Sequence, residues 1–143
     1  MKCKELMVGD WVATEHDFPM QIVNVGEDYA YATFEGNEGD PWEFDDKDSE
    51  PHPIDITNKI IRANRWKARS HTVVRDIKEY YYLKDYKGNH LLWSHGMLAI
   101  WFDYEKDNDG VYADIVIPCK YVHQLQQVLR LAGMTDMANN FKI

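Results

Sequence analysis

One short stretch of the chain has the residue spacing of a zinc-peptidase helix. His123, Gln124 and Gln127 occupy the places where a His-Glu-x-x-His helix carries two imidazole ligands and a glutamate base. Glutamine does not ionise at neutral pH and cannot replace imidazole as a zinc ligand in this motif. Because the chain also lacks a phosphate loop, a nucleophile elbow and a catalytic cysteine–histidine signature, we predict no catalytic residue, metal or cofactor.

A second stretch has part of the order of a calcium-binding loop. Asp107, Asp109 and Gly110 follow one another as in such a loop, but its last ligand position falls on Val116, where a bidentate glutamate is required. The segment is therefore predicted to be a hairpin turn.

Basic residues concentrate between Lys59 and Lys78, where seven Lys and Arg stand against one acid, Asp76. On a β-strand, Arg65, Lys67 and Arg69 would project from one face at a spacing of ~6–7 Å. This spacing is comparable with that of the phosphates along single-stranded nucleic acid. Tyrosines 80–82 would add stacking. The alternative is that these cations pair with acidic residues of the same chain or of a second copy. The candidate nucleic-acid contacts are Arg62, Arg65, Lys67, Arg69 and Arg75.

Acidic residues concentrate in the first 56 residues. These hold fifteen Asp and Glu against three Lys, a net charge of −12, whereas residues 57–143 hold thirteen basic and nine acidic residues, a net charge of +4. This uneven distribution of charge bears on which partners the protein binds. It also allows self-association, because the acidic part of one copy could contact the basic part of another. A solvated acidic loop or a cation-binding loop is the alternative to a protein contact. The candidate protein contacts are Trp42, Asp45, Asp46 and Asp48.

Short apolar runs separated by turn residues predict the elements that position these side chains. Pro51 and Pro53 mark a boundary, and Thr57 is predicted to cap a helix that runs to about Ala63. The spacing of apolar residues predicts a C-terminal helix over 121–132 that Gly133 ends, followed by a short helix from Thr135. Strands are predicted over residues 11–14, 20–25, 29–34, 42–44, 66–74, 79–85, 90–95, 98–104 and 111–117.

The predicted fold class is α+β. A small β-barrel-like meander over residues 1–53 is followed by an antiparallel sheet over residues 54–143 that the C-terminal helix packs against, and the two form one compact unit. The chain has no apolar run of about 20 residues and no secretory h-region, which predicts a cytoplasmic protein without a membrane partner. Cys3 and Cys119 lie far apart and are predicted to be free thiols.

Two resemblances add to these predictions. Residues 6–12, Leu-Met-Val-Gly-Asp-Trp-Val, look like the entry to small β-barrels of the Src-homology-3 type. Together with residues 51–61 and 120–134, the start of the chain also resembles a group of small uncharacterised proteins of gut Bacteroides-type bacteria, their phages and mobile elements. That resemblance implies a cytoplasmic protein and transfers no catalytic residue. We predict a non-enzymatic protein-binding module, with single-stranded nucleic-acid binding as the alternative.

Overall fold

The computed structural model describes residues 1–73, 76–84, 88–102 and 113–143, with the backbone alone for residues 69–73 and 76–79. The chain is an α+β protein with two antiparallel sheets. It divides into two compact units. Unit one comprises Met1–Asp55, Tyr121–Phe141 and Ile143, and unit two comprises Ile56–Lys120 and Lys142.

Unit one contains a four-stranded sheet in the order of the chain. Strand β1 spans Trp11–Ala13, β2 Pro19–Val25, β3 Tyr29–Thr33 and β4 Trp42–Asp45. Alternate residues point to one face, as the period of a half-buried strand requires, and these form the core. The buried cluster consists of Cys3, Leu6, Val12, Met20, Ile22, Ala30, Ala32 and Phe44.

The chain after β4 returns to the first strand of this sheet. Ala13 and His52 exchange two backbone hydrogen bonds of 2.9 Å each, so β1 is paired on both sides at this position. The bridge joins His52 to β1, but β4 does not pair with β1, so the four described strands of unit one do not form a closed barrel.

Two helices complete unit one. Helix α2 spans Val122–Leu131 and α3 spans Thr135–Asn139. Gly133 has a φ of +82°, and the amide of Met134 donates to Leu129 O (2.8 Å) while that of Gly133 donates to Arg130 O (3.0 Å). This is the Schellman arrangement, in which a left-handed glycine ends the helix, and it confirms the predicted cap.

Unit two contains a five-stranded antiparallel sheet, again in chain order. In the strands His90–Ser94 and Met97–Trp101 every second residue is buried, including Leu91, Trp93, Leu98 and Ile100. A two-residue turn joins this hairpin, and His95 and Gly96 both have positive φ there, as a type I′ turn needs. The strands are β5 Lys67–Val73, β6 Asp76–Lys84, β7 His90–Ser94, β8 Met97–Trp101 and β9 Ile115–Pro118.

Helix α1 of unit two spans Asn58–Ala63 and begins at the predicted residue. The hydroxyl Oγ1 of Thr57 accepts a hydrogen bond from the amide of Ile60 (3.2 Å), which satisfies one of the free donors of the first turn. In the parts of the chain that the structure describes, no helix is long and apolar enough to cross a membrane.

The division into units differs from the predicted one in the place of the C-terminal helix. We expected residues 54–143 to form one subdomain in which this helix packs against the second sheet, but residues 121–141 belong to unit one. The physical reason is that polar side chains of α2 hold the helix in unit one, and the repeat of apolar residues contains no information about them. Gln126 and Arg130 bond to the segment that leads into β1.

Candidate functional site

Unit one contains a pocket of about 560 Å³. Aromatic and aliphatic side chains form its walls, and acidic residues and two histidines stand among the polar residues that complete it. We call it the Trp42 pocket. It is lined by Thr14, Glu15, His16, Phe18, Met20, Phe34, Trp42, Asp48, Ser49, Glu50 and His52.

The wall at Trp42 follows from the pairing of β3 with β4. Trp42 lies opposite Ala32, and Phe44 lies opposite Ala30, so the two rings share the core face of the sheet with small partners. Phe44 is buried, but Trp42 stands at the start of the edge strand and is 45% exposed. The partly exposed indole of Trp42 is therefore available as one wall of the pocket.

A second wall comes from the turn between β1 and β2. The amide of Thr14 donates to Phe18 O (3.0 Å), and Asp17 takes a left-handed φ of +60° in the same turn. The turn presents Phe18, whose ring meets that of Phe34 edge to face at 4.9 Å between centroids. Phe18 remains 46% exposed, so both aromatic walls keep ring surface open.

The acidic residues of the pocket differ in how far their charge is already neutralised. Glu50 pairs with Lys2 (Oε1 to Nζ, 2.5 Å), and this contact holds the pKa of the Glu50 carboxyl below its usual range. Glu15 lies 3.6 Å from the ring of its neighbour His16, and both side chains are highly exposed. The Asp48 carboxylate makes no ion pair with any residue that the structure describes.

The predicted protein contacts therefore separate into two pairs. Trp42 and Asp48 line the pocket, whereas Asp45 and Asp46 do not. Asp45 Oδ1 accepts the amides of Lys47 (2.8 Å) and Asp48 (2.7 Å), and these bonds lower the pKa of Asp45. Asp46 Oδ1 accepts the amide of Cys3 (2.8 Å), which lowers the pKa of Asp46. Both carboxylates hold the local fold.

The predicted line of cations is interrupted in unit two. Arg65 precedes β5 and has a φ of +68°, so it does not continue the strand on which Lys67 and Arg69 lie. Residue Arg62 is on α1, where its guanidinium carbon lies 5.6 Å from the centre of the Tyr81 ring. Lys67 is exposed, Arg69 pairs with Tyr80 in the sheet, and Arg75 lies outside the described residues.

The expected row of exposed tyrosines is also wrong at its centre. Tyr81 is 2% exposed and packs near Trp93, because successive residues of a strand point to opposite faces. The half-buried Tyr82 has its hydroxyl 2.7 Å from Nδ1 of His90. Three consecutive tyrosines on one strand cannot form a single stacking surface.

The peptidase-like residues of α2 take part in folding. His123 is buried and its ring stacks on Tyr121 at 5.9 Å, and burial lowers the pKa of its imidazole. Gln127 Nε2 donates to Glu5 O (2.9 Å) and to Asp10 Oδ2 (2.7 Å). Gln124 Oε1 accepts the amide of Tyr121 (3.1 Å). Among the described residues, no group of three or more His, Cys, Asp or Glu could hold a metal ion, and the calcium-like segment lies outside them.

Sequence reasoning missed the Trp42 pocket as a whole. Its residues come from the turn between β1 and β2, from β2, from the residue after β3, and from β4 and the segment that follows it. The sheet brings these parts of the chain together. The available signal was Trp42 itself, an aromatic residue on an edge strand beside acidic residues. In comparisons with known proteins, no family model, curated protein or solved structure matches the chain.

Proposed function

We propose that this chain is a non-enzymatic protein-binding module and that the Trp42 pocket is its contact surface. The observation that carries the proposal is the 45% exposure of Trp42 on the core face of its strand. Exposed aromatic side chains in concave apolar sites are typical anchors of protein interfaces. Asp48, which lines the same pocket, supplies a polar group at its edge.

We further propose that unit one is a small β-barrel-like module of the Src-homology-3 type. Its support is the start Leu6–Val12, the four-stranded meander and the Ala13–His52 bridge that returns the chain to β1. Grooves with aromatic walls are a recurrent mode of peptide recognition. A cytoplasmic location and an origin in a phage or mobile element rest on the sequence alone.

Site-specific photo-crosslinking tests the proposed surface. We would place p-benzoylphenylalanine at position 42, or at position 29 as the control, and expose each full-length protein to lysate of a Bacteroides-type bacterium. Tyr29 is also an exposed aromatic of the same sheet, but the register puts it on the opposite face. We expect discrete adducts from position 42 that are absent from position 29 and that excess unlabelled wild-type protein, but not Trp42→Ala, competes away. The same diffuse adducts from both positions would contradict the proposal.

Single-stranded nucleic-acid binding is the second candidate, because Arg65 and Lys67 are both exposed at the start of β5. Fluorescence anisotropy with labelled single strands at low and moderate salt would test it. If these residues contact phosphates, the Arg65→Ala/Lys67→Ala variant should bind all sequences more weakly and lose about two units of salt slope. Absence of binding at low salt would remove this candidate.

A further inference from the structure

We propose that the Trp42 pocket binds the lysine or arginine side chain of an extended segment of a partner protein. This inference rests on the proposed function and names the chemistry of its ligand. It follows from three properties of the pocket: open aromatic faces, apolar walls and carboxylates that are still available to a cation.

The aromatic walls suit a cation in particular. The face of an indole ring carries negative potential, and lysine and arginine bind over such faces, tryptophan being the best acceptor. Trp42 and Phe18 keep 45% and 46% of their surfaces exposed. The methylene stem of a basic side chain would at the same time cover the apolar surface of Phe18 and Phe34, as long cationic side chains do elsewhere.

Two carboxylates of the pocket complement a positive head group. Among the described residues Asp48 makes no ion pair, and the ion-pair partner of Glu15 is the neighbouring imidazole of His16. Glu50 is already matched by Lys2 and adds less. A guanidinium or ammonium group beside the indole would therefore find one or two carboxylates that no described Lys or Arg neutralises.

The charge of the whole unit favours the same ligand. Residues 1–55 carry fifteen acidic and three basic residues, and in residues 121–141 Arg130 and Asp136 cancel, so unit one has a formal charge of −12. A field of this sign attracts basic segments, raises their association rate and repels acidic ones. A neutral apolar peptide would fit the walls but would gain nothing from this field.

The pocket volume indicates whether the ligand is a single side chain or a short peptide segment. About 560 Å³ lies within the ~300–1,000 Å³ range of sites for drug-sized ligands. One basic side chain does not fill such a space, so residues that flank it in the partner would enter the pocket too. We therefore expect recognition of a short sequence and not of free arginine or lysine alone.

Peptide display with a counter-selection tests the inference directly. Random twelve-residue peptides would be selected on the immobilised full chain after removal of those that bind Trp42→Ala. We expect the remaining peptides to share one Lys or Arg position. For an arginine peptide, replacing that arginine by citrulline, its neutral isostere, should raise the Kd about 2- to 30-fold, the range of a cation–π contact.

Matched variants assign the effect to the pocket. Asp48→Asn should weaken the arginine peptide and leave the citrulline peptide unchanged, whereas Glu43→Gln should affect neither. Glu43→Gln also removes a single negative charge, but Glu43 lies on β4 at a position whose side chain faces the opposite side of the sheet. Tyr29→Ala serves as the control for Trp42→Ala, and an unfolding curve for each variant verifies that it is folded.

The possible results separate the inference from the function on which it rests. Peptides that need Trp42 but share no basic residue, or that bind equally well with citrulline, would overturn the cationic ligand and leave a protein-binding pocket. If no selected peptide depends on Trp42, both proposals fail. Self-association that Trp42→Ala abolishes would overturn the partner segment in favour of a second copy of this chain, whose own residues 59–78 are basic.

Discussion

The two units use different interactions to hold an antiparallel sheet. Four of the five polar or charged residues that are buried in the described chain belong to unit one, namely Asp10, Thr14, His123 and Gln126, and unit two has Asn89 alone. Unit one joins residues 1–55 to residues 121–141, whereas unit two is a nearly continuous segment. Specific polar contacts join distant parts of the chain in unit one, while alternating apolar residues form the core of the described hairpin of β7 and β8 in unit two.

The polar contacts of unit one centre on the residues that lead into β1. Gln126 is fully buried and makes three hydrogen bonds, from Nε2 to Gly9 O and Ala138 O (2.9 Å each) and to Oε1 from the Trp11 amide (2.8 Å). Arg130 Nη1 donates to the buried Asp10 carboxylate at 2.5 Å. Gly9 has a φ of +93°, and a Cβ there would lie 2.8 Å from Arg130 Nη2, so any other residue would strain the backbone and displace the guanidinium.

Each unit contains one cysteine that can report on its opening. Cys3 belongs to unit one and Cys119 to unit two, and both are fully buried free thiols. Burial raises the pKa of each thiol to about 12. Since the thiolate is the reactive form, neither cysteine should react until its own surroundings open, and the two labelling rates compare the units within one sample.

Asp10→Ala should have the largest effect and should act on unit one. The variant leaves the partly buried Arg130 guanidinium without the fully buried carboxylate that it binds, and removal of one partner of a buried ion pair typically costs about 3–5 kcal/mol. We expect a corresponding fall in the free energy of unfolding and a Cys3 alkylation rate about 100-fold faster or more, with Cys119 unchanged. Mass spectrometry of the labelled peptides would distinguish the two sites.

Glu50→Gln is the control for this experiment, because it removes the exposed ion pair with Lys2 and should leave both rates as they are. Equal acceleration of both cysteines in Asp10→Ala would break the comparison, since the units would then open together.

The sequence predicted the strands of both units better than it predicted how the two ends of unit one come together. Apolar runs between turn residues predicted β7 and β8, and Thr57 predicted the first turn of α1, because strand-like runs and capping are local properties. The same locality explains the errors. Because side chains alternate along a strand, we expected Arg65 to share a strand face with Lys67 and Arg69. Arg65 instead lies in the turn before β5, where its backbone is left-handed.

The contacts that no local pattern could show are those between the ends of unit one. The apolar repeat of α2 predicted a helix, yet the residues that decide where it packs are Gln126, Gln127 and Arg130, which a periodicity scan counts as solvent-facing. The Trp42 pocket was missed for the same reason. Its walls come from segments that are separated in the chain and adjacent only across the strands of the sheet.

Leu98→Ala is the counterpart in unit two. Leu98 is fully buried on β8 between Trp93 of β7 and Ile117 of β9, and the loss of its side chain leaves a cavity that typically costs about 2–5 kcal/mol. We expect faster alkylation of Cys119 and an unchanged Cys3, the reverse of the pattern for Asp10→Ala. Met97→Ala changes the exposed neighbour on the other face and should have little effect. Faster labelling of Cys3 in Leu98→Ala would count against separate cores.

His123→Gln should have the smallest effect, and it appears as a change in pH dependence. Burial lowers the pKa of His123 in the folded protein, although Asp10 and Glu5 oppose the shift, and its Nδ1 has no hydrogen-bond partner in the described chain. Below the ordinary imidazole pKa of about 6.5, the unfolded state therefore binds more protons than the folded state, and stability falls as pH decreases. Urea unfolding at pH 7.5, 6.5 and 5.5 should show this loss in the wild type and a shallower one in His123→Gln. His16→Gln, at an exposed position, should retain the wild-type slope, and a His123→Gln slope equal to that of the wild type would show that this imidazole adds nothing to the pH dependence of unit one.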